Sequence, residues 1–474
     1  MTSSAAKKDA LNQITRQCEN WEKDKDLFIK ANEAQSELLA LNLLTVLGIA
    51  QEKIFPQYKC SRTSKVDLAA RFKALEGSSK FSKPDIIIEI KKPSVIFAQG
   101  EKRYALTVSQ LQTYLAAEKC KSVKYGIIFN GCQVQLFRKH GMLSYPISSV
   151  LSLDKKNING TISYLKKSIK QDEEIRGSII TVWNNKGGVG KTTIAQGLAI
   201  LLSEKIIYGK KEKNRILLID YDHNQGDLTA NCKMERSDGE TKRLLEDEIL
   251  GKLSKESIIN SLPTFTNIPE RGTRPRFPFE IKILKADSKL SEEGADYIKN
   301  FAAEDRLPLR ELCLQLSELF DYIIIDAPPN YEQSIFSKEA VSAADCILPI
   351  ALFQNNNSIR NYAKAVIEHI KPAQESRNDG GPFSLGIWFN RWRTTWTPIP
   401  TSDSVKRQIE NTEKEEDQIE LKRIFYKPNT HLLRKLDENA DIARSIMDAK
   451  GLPGVVRYLK ARNAFDSLVK EFSD

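Results

Sequence analysis

Residues 186–193 read Lys-Gly-Gly-Val-Gly-Lys-Thr-Thr. The apolar stretch Ser178–Trp183 leads into this run as a strand, and Ile194–Leu202 leads out of it as a helix. A glycine-rich turn between strand and helix exposes backbone N–H groups at the positive end of the helix dipole. Such a cradle holds phosphates. Lys191 is spaced to reach the β- and γ-phosphates of a nucleotide, and the Thr192 hydroxyl to hold Mg²⁺. Gly187, Gly188, Val189, Gly190 and Thr193 complete the cradle. ATP and Mg²⁺ are the expected ligands. The expected fold around them is an α/β, mostly parallel sheet flanked by helices, with nucleotide at the C-terminal ends of the strands.

The general phosphate-loop template has Gly where Asn185 stands, and here a second lysine, Lys186, heads the loop. The run resembles the deviant Walker A motif of ParA/MinD-type ATPases. Two more segments carry the likeness. Arg215–Thr229 is an apolar strand ending in Asp220 and Asp222, followed by a Gln-Gly turn. It resembles the family's Asp-x-Asp-Pro-Gln-Gly switch, with His223-Asn224 in place of the single proline. Phe320–Pro329 ends an apolar strand in Asp326 and two prolines, like the family's Walker B strand. Ser342–Ile350 resembles the next strand. Gly386–Asn390 resembles the strand whose terminal Asn contacts adenine, which nominates Asn390. The resemblance implies a homodimer closed by ATP. Lys186 would cross to the partner's nucleotide, Asp222 would orient the attacking water, and Asp220 and Asp326 would order Mg²⁺. Turnover would be slow without DNA or a stimulating partner protein.

The closing segment, with Val455, Val456, Leu459, Phe465, Leu468, Val469 and Phe472, reads as a core-facing helix in preference to a membrane-targeting amphipathic tail. No run of 18 apolar residues occurs, so no transmembrane helix is expected, and the N-terminus has no hydrophobic signal core. The seven cysteines are scattered without a Cys-x-x-Cys pair, which favours reduced thiols in a cytoplasmic protein over a structural zinc site.

Charge is unevenly placed. Residues 1–175 hold 28 Lys+Arg against 18 Asp+Glu, whereas 176–474 hold 44 of each. The whole excess of +10 precedes the ATPase-like part. A basic excess gathered in one region points to a polyanion, double-stranded DNA first, and to association with the nucleoid.

Within that basic region, Asn32–Leu47 has helical apolar spacing, and Lys65–Phe72 and Asp85–Lys92 read as strands of a hairpin around a Gly-Ser-Ser turn at 77–79. Alternation puts Asp85, Ile87, Glu89 and Lys91 on one face. Carboxylates beside a lysine suit metal-dependent phosphodiester hydrolysis: the carboxylates hold Mg²⁺, and the lysine serves the attacking water. Gln110 and Tyr114 lie one helical turn apart, and Tyr125–Arg138 reads as strand, Asn-Gly turn, strand. The order Glu37, Asp67, Glu89-x-Lys91, Gln110-x-x-x-Tyr114, Asn130-Gly131 resembles the N-terminal nuclease domain of type I restriction motor subunits, of the PD-(D/E)xK class. Either Asp67 or Asp85 is the metal aspartate. The family places it on the preceding strand, which selects Asp67. Gln110 and Tyr114 would position the DNA backbone or brace the site.

The expected organisation is a helical extension over 1–30, a nuclease-like α/β domain over 31–150, a linker over 151–176 and the ATPase over 177–474. Pro263–Pro278 reads as a loop inserted between helices, Arg391–Pro400 as a basic–aromatic loop, and Glu410–Glu420 as a solvated acidic stretch. Three functions stay open at this point: an ATP-switched DNA nuclease acting against foreign DNA, a partition-type positioning ATPase whose first domain only binds DNA, and a MinD-like membrane positioner. The charge split disfavours the third.

Overall fold

Strand β3 (Ile86–Ile90) reads Ile-Ile-Ile-Glu-Ile and is buried along its whole length. A strand so apolar needs cover on both faces. The computed structural model describes residues 3–72, 83–98, 101–169, 176–249, 251–252, 254–266, 278–292, 294, 296, 306–352, 366–377, 379–392, 435–437, 468–470 and 472–473. Its chain divides into two compact units, the first built on Met1–Ile175 and the second beginning at Arg176.

In the first unit β3 sits inside a sheet ordered β1 (Ile54–Lys59), β2 (Lys65–Ala70), β3, β4 (Tyr125–Phe129), β5 (Gln133–His140), β6 (Leu143–Pro146), with β7 (Leu151–Ser152) on β5. The β2–β3 pair is the expected antiparallel hairpin, Leu68 opposite Ile88. The β3–β4 pair is parallel. Parallel neighbours need a crossover, and helix α4 (Lys102–Leu115) lies between them in the chain. Period-two alternation divides the side chains between two cores. Leu68, Ala70, Ile86, Ile88 and Ile90 pack with residues of α1 (Ser4–Lys23), α3 (Glu33–Val46) and α5 (Ile158–Ser168). Ala69, Ile87 and Ile128 pack with Val108, Leu111 and Leu115 of α4.

Two expected boundaries are corrected here. Residues 1–30 are not a separate extension, because Ile14, Cys18 and Trp21 of α1 are buried in the first of these cores. Truncating the Trp21 ring is expected to cost ~3–5 kcal/mol. The stretch 151–176 is not simply a linker. Leu151–Ser152 joins the sheet, and α5 buries Ile158, Ile162 and Leu165 in the same core. Of the polar residues that suggested a linker, Lys155, Lys156, Asn157, Asn159, Lys166 and Lys167 are exposed on α5 and in its approach, and residues 170–175 lie outside the described residues.

The second unit is built around β8 (Ser178–Trp183). Its sheet runs β10 (Thr264–Thr266), β11 (Glu280–Leu284), β9 (Ile216–Asp220), β12 (Tyr322–Asp326), β8, β13 (Cys346–Leu352), β15 (Trp388–Trp392), β16 (Lys435–Asp437), with β14 (Phe383–Ser384) beside β13. All pairs are parallel except β10–β11. Ile179, Leu217, Ile219, Ile323 and Ile325 pack on Leu309, Leu312, Leu316 and Val341. The strands on either side of β8 thus bring their C-terminal ends to the loop that precedes α6 (Lys191–Leu202).

Pro263–Pro278 does not separate two helices. It begins at β10 and leads towards β11, an antiparallel pair in which Phe265 faces Ile281. The alternating Glu-Ile-Lys-Ile-Leu of β11 pairs with β9 on its other side. Of the closing segment, Leu468, Val469 and Phe472 are fully buried, and the Phe472 carbonyl accepts from the Tyr322 hydroxyl at 2.7 Å. That part faces the core. Val455, Val456, Leu459 and Phe465, the 77–79 turn, residues 267–277, residues 393–400 and Glu410–Glu420 lie outside the described residues. No helix among the described residues is long and apolar enough to cross a membrane.

Candidate functional site

In the first unit, neighbouring strands set the geometry. Asp67 projects from β2, and its Oδ2 accepts from the backbone N–H of Ile90 on β3 at 2.7 Å. The Gln57 side chain also bonds Asp67. Glu89 is 2% exposed and pairs with the ammonium of Lys91, two residues on. Burial, then the charge of Asp67, pushes the Glu89 carboxyl up to about 7. Burial likewise raises Asp67, against the pull of Ile90 N–H and Lys91. A buried carboxylate raised by the charge of a neighbouring one, with one lysine paired to it, forms a site a divalent cation would relieve.

On α4, Gln110 Nε2 donates to the Tyr114 hydroxyl at 2.8 Å. The Tyr114 hydroxyl is raised by burial and also feels Glu89, Asp67 and Lys91, so the pair borders the carboxylates. Asp85, just before β3, is tied to the end of β2: its Oδ2 accepts from Phe72 N–H at 2.9 Å and its N–H donates to the Ala70 carbonyl at 2.9 Å. The α3 glutamate that approaches Lys91 is Glu33, at 4.0 Å; the sequence had pointed to Glu37. Asn130 is used structurally. Its Oδ1 accepts from Cys132 and Gln133 N–H, and its Nδ2 donates to the Val95 carbonyl.

In the second unit the phosphate loop is tied down on several sides. Asn184 Oδ1 accepts from Lys186 N–H at 2.9 Å, and its Nδ2 donates to the Ile350 carbonyl on β13 at 2.6 Å. Asn185, where the general template has Gly, has its own use. Its Oδ1 accepts from Tyr331 N–H at 2.6 Å and its carbonyl from Asn330 N–H at 3.1 Å, joining the loop to the segment after Asp326. Gly190 caps α6 in the left-handed region at φ 91°. A Cβ there would lie 2.2 Å from Asn390 Nδ2, so both conformation and space require glycine. Asn390 is 8% exposed, and that Nδ2 donates to the Val189 carbonyl at 2.9 Å. Asn390 thus braces the loop. Gly187 and Gly188 are exposed, whereas Lys186, Thr192 and Thr193 are half-buried.

Lys191 is 7% exposed, and its Nζ donates to the Lys186 carbonyl at 3.2 Å. Burial pulls its pKa down, and the nearby charges of Asp326 and Asp222 oppose that. Asp220 and Asp326 end β9 and β12 as register partners. Asp220 Oδ2 accepts from Thr229 N–H at 2.8 Å and Oγ1 at 2.7 Å, while the Thr192 side chain bonds Asp326. Among the described residues the buried Oδ1 of each has no hydrogen-bond partner. Burial pushes Asp326 up to about 8, with Asp220 adding to it, and pushes Asp220 up to about 6. Orphaned carboxylate oxygens beside a threonine hydroxyl fit a hard divalent cation such as Mg²⁺. Asp222 is half-buried, is raised by burial, and accepts from Gln225 N–H at 3.2 Å.

Known proteins resemble this second unit. Residues 177–379 match the family model of an AAA domain. The chain is 30% identical over 172 residues to the chromosome partitioning protein ParA of Myxococcus xanthus, covering 36% of this chain and 51% of that one. Over that stretch the chain is similar to ParA proteins. It is also 28% identical over 175 residues to the sporulation initiation inhibitor protein Soj of Bacillus subtilis, covering 36% of this chain and 57% of that one. The chain spans about half the length of these curated relatives. Among solved structures, a variant of Cyanothece McdA in complex with ATP is 19% identical with a TM-score of 0.42, over 62% of this chain and 97% of that one.

Four site neighbours escaped the sequence reading: Gln57, Glu33, Thr229 and Arg236, whose Nη1 donates to the His223 carbonyl beside Asp222 at 3.1 Å. Thr229 closes the quoted switch segment, and the turn after Asp222 folds it back onto Asp220, nine residues earlier. The other three come from elements whose packing no local pattern discloses.

Proposed function

We propose that this chain is an ATP-switched enzyme acting on DNA, in which a ParA-type ATPase governs a basic unit that binds and cuts double-stranded DNA. The observation that carries the reading is the meeting of Asp67, Glu89 and Lys91 beside Gln110 and Tyr114, in the unit that holds the whole charge excess. In the ATPase, Lys191 and the loop amides grip the phosphates of ATP. Thr192, Asp220 and Asp326 would hold Mg²⁺, which neutralises phosphate charge when bound. Asp222 orients the attacking water. Lys186 reaches the partner's nucleotide across an ATP-closed homodimer, and DNA or a stimulating partner protein sets the turnover rate.

In the first unit, Asp67 and Glu89 would hold a divalent cation. Lys91 serves the attacking water and steadies the developing phosphorane charge, while Gln110 and Tyr114 position the backbone. Such a protein works in the cytoplasm on the nucleoid, and defence against foreign DNA is the role its parts suit. The second reading is a partition or positioning ATPase whose first unit binds DNA without cutting it; the ParA and Soj relatives favour that. One experiment separates the two: supercoiled plasmid incubated with Mg²⁺ or Mn²⁺, with and without ATP, alongside phosphate release. ATP hydrolysis with metal-dependent nicking supports the first reading. Hydrolysis with intact plasmid supports the second.

A further inference from the structure

The switch segment departs from the ParA-like pattern immediately after Asp222. A proline there would lock its own φ. His223-Asn224 stand in its place, so the turn is one residue longer and has lost that covalent restraint. The structure restrains it from outside. The Arg236 guanidinium donates from Nη1 to the His223 carbonyl at 3.1 Å, and from Nη2 to the Asn224 carbonyl at 2.9 Å and to that of Gln225. Three successive carbonyls are gathered by one planar fork, which lysine does not match.

The surrounding contacts fit the same purpose. The His223 ring is fully buried against Tyr221 and Phe336, and its Nδ1 accepts from Asp287 N–H at 3.1 Å. The Asn224 side chain accepts from Ser291 Oγ at 3.0 Å. Gly226 adopts φ 64° and its N–H donates to the Asp222 carbonyl at 2.7 Å. A Cβ on Gly226 would lie 2.6 Å from Arg236 Nε, so the glycine makes room for the fork. Arg236 itself is exposed and contributes little to the core.

We propose that Arg236 is a positioning residue for ATP hydrolysis: its fork on the 223–225 carbonyls replaces the missing proline and keeps the Asp222 carboxylate aimed at the attacking water. This rests on the ATPase reading above. It also explains why the switch tolerates an extra residue so close to the reacting phosphate.

The test is steady-state ATP hydrolysis, ATP affinity and backbone hydrogen exchange in the full chain. Arg236→Ala is expected to lose on the order of ten- to hundred-fold in kcat, because small misplacements of a catalytic group are that costly, with ATP affinity and melting temperature unchanged. Amides of residues 222–226 should exchange faster. Arg236→Lys should stay impaired, since a point charge cannot span three carbonyls. Deleting Asn224 and placing proline at 223 in the Arg236→Ala background should recover turnover. Wild-type kcat in Arg236→Ala overturns the inference, as does a loss of kcat that merely follows loss of affinity and stability. A wild-type chain that binds ATP without hydrolysing it overturns the ATPase reading and any catalytic role for the arginine. The exchange measurement then still decides the clamp, which unchanged exchange in Arg236→Ala rejects.

Discussion

Asp220 and Asp326 stand opposite each other on adjacent parallel strands, and the buried Oδ1 of each has no hydrogen-bond partner among the described residues. Two such carboxyls are costly in an empty site, which is why burial drives both pKa values upward. Asp326→Asn removes one ionisable group from that pair. The variant is expected to melt ~2–4 °C higher than wild type for each kcal/mol of relieved burial. It should lose the rise in melting temperature that Mg²⁺ with ATP gives wild type, and hydrolysis should fall at least ~100-fold. Thermal melts with and without Mg²⁺ and ATP check this. A variant that melts lower and keeps the Mg²⁺ response would show that these oxygens hold no cation.

The two loop lysines should separate in their effects. Lys191 is buried and folded onto the loop's own carbonyl, so Lys191→Ala removes the charge-assisted phosphate contact and should abolish ATP binding. Lys186 is half-buried, and the loop holds it through its backbone N–H. Lys186→Ala should therefore bind ATP and fail to dimerise. A nucleotide-binding titration separates the two, light scattering with ATP and Mg²⁺ reads dimerisation, and normal ATP-induced dimerisation of Lys186→Ala would remove the crossing role.

Asp222 lies close enough to Lys191 to oppose the fall in its pKa, and its carboxylate is held by Gln225 N–H. Asp222→Ala should bind ATP, dimerise and stall, trapping the dimer. Phosphate release at the wild-type rate would sink that assignment.

The phosphate loop, the strands ending in Asp220 and Asp326, and the hairpin carrying Asp67 and Glu89 were all legible because each is local. Their periodicity and terminal residues are set within about ten residues of chain. What was not legible depends on contacts between distant segments. The α1 residues Ile14 and Trp21 are spaced like those of any polar amphipathic helix, and only the sheet beneath them makes them core. The lysine-rich stretch around α5 has a linker's composition but buries one apolar stripe. Glu33 and Glu37 lie one turn apart on α3, and sequence alone cannot say which approaches Lys91. The family pattern favoured Asp67 over Asp85, and the contact of Asp85 with the Phe72 N–H is one that no local pattern discloses.

DNA binding by the full chain should be strongly salt-dependent, because the charge excess lies in one unit. If about six or more phosphates are neutralised, affinity for a random duplex falls on the order of 10³-fold between roughly 50 and 200 mM salt. Gel shifts or anisotropy across a salt series give the slope. A flat series, or no binding at low salt, would count against a DNA-binding first unit.

Cleavage is the sharpest prediction. Glu89 sits where burial and Asp67 make a lone carboxylate costly, and Lys91 pairs with it. Glu89→Ala and Lys91→Ala should each abolish plasmid nicking in Mg²⁺ or Mn²⁺ while ATP hydrolysis continues, since neither residue belongs to the phosphate loop. Lys186→Ala should also cut poorly, although every residue of the first site is intact, because the ATP-closed dimer that would bring two first units together is lost. Two nicks on opposite strands then become a double-strand break only in the presence of ATP. Linear product from wild type with ATP, nicked circles without it, and neither from Glu89→Ala is the expected pattern. Nicking that survives Glu89→Ala would reject this site, and wild-type linearisation by Lys186→Ala would reject the coupling between nucleotide switch and cleavage.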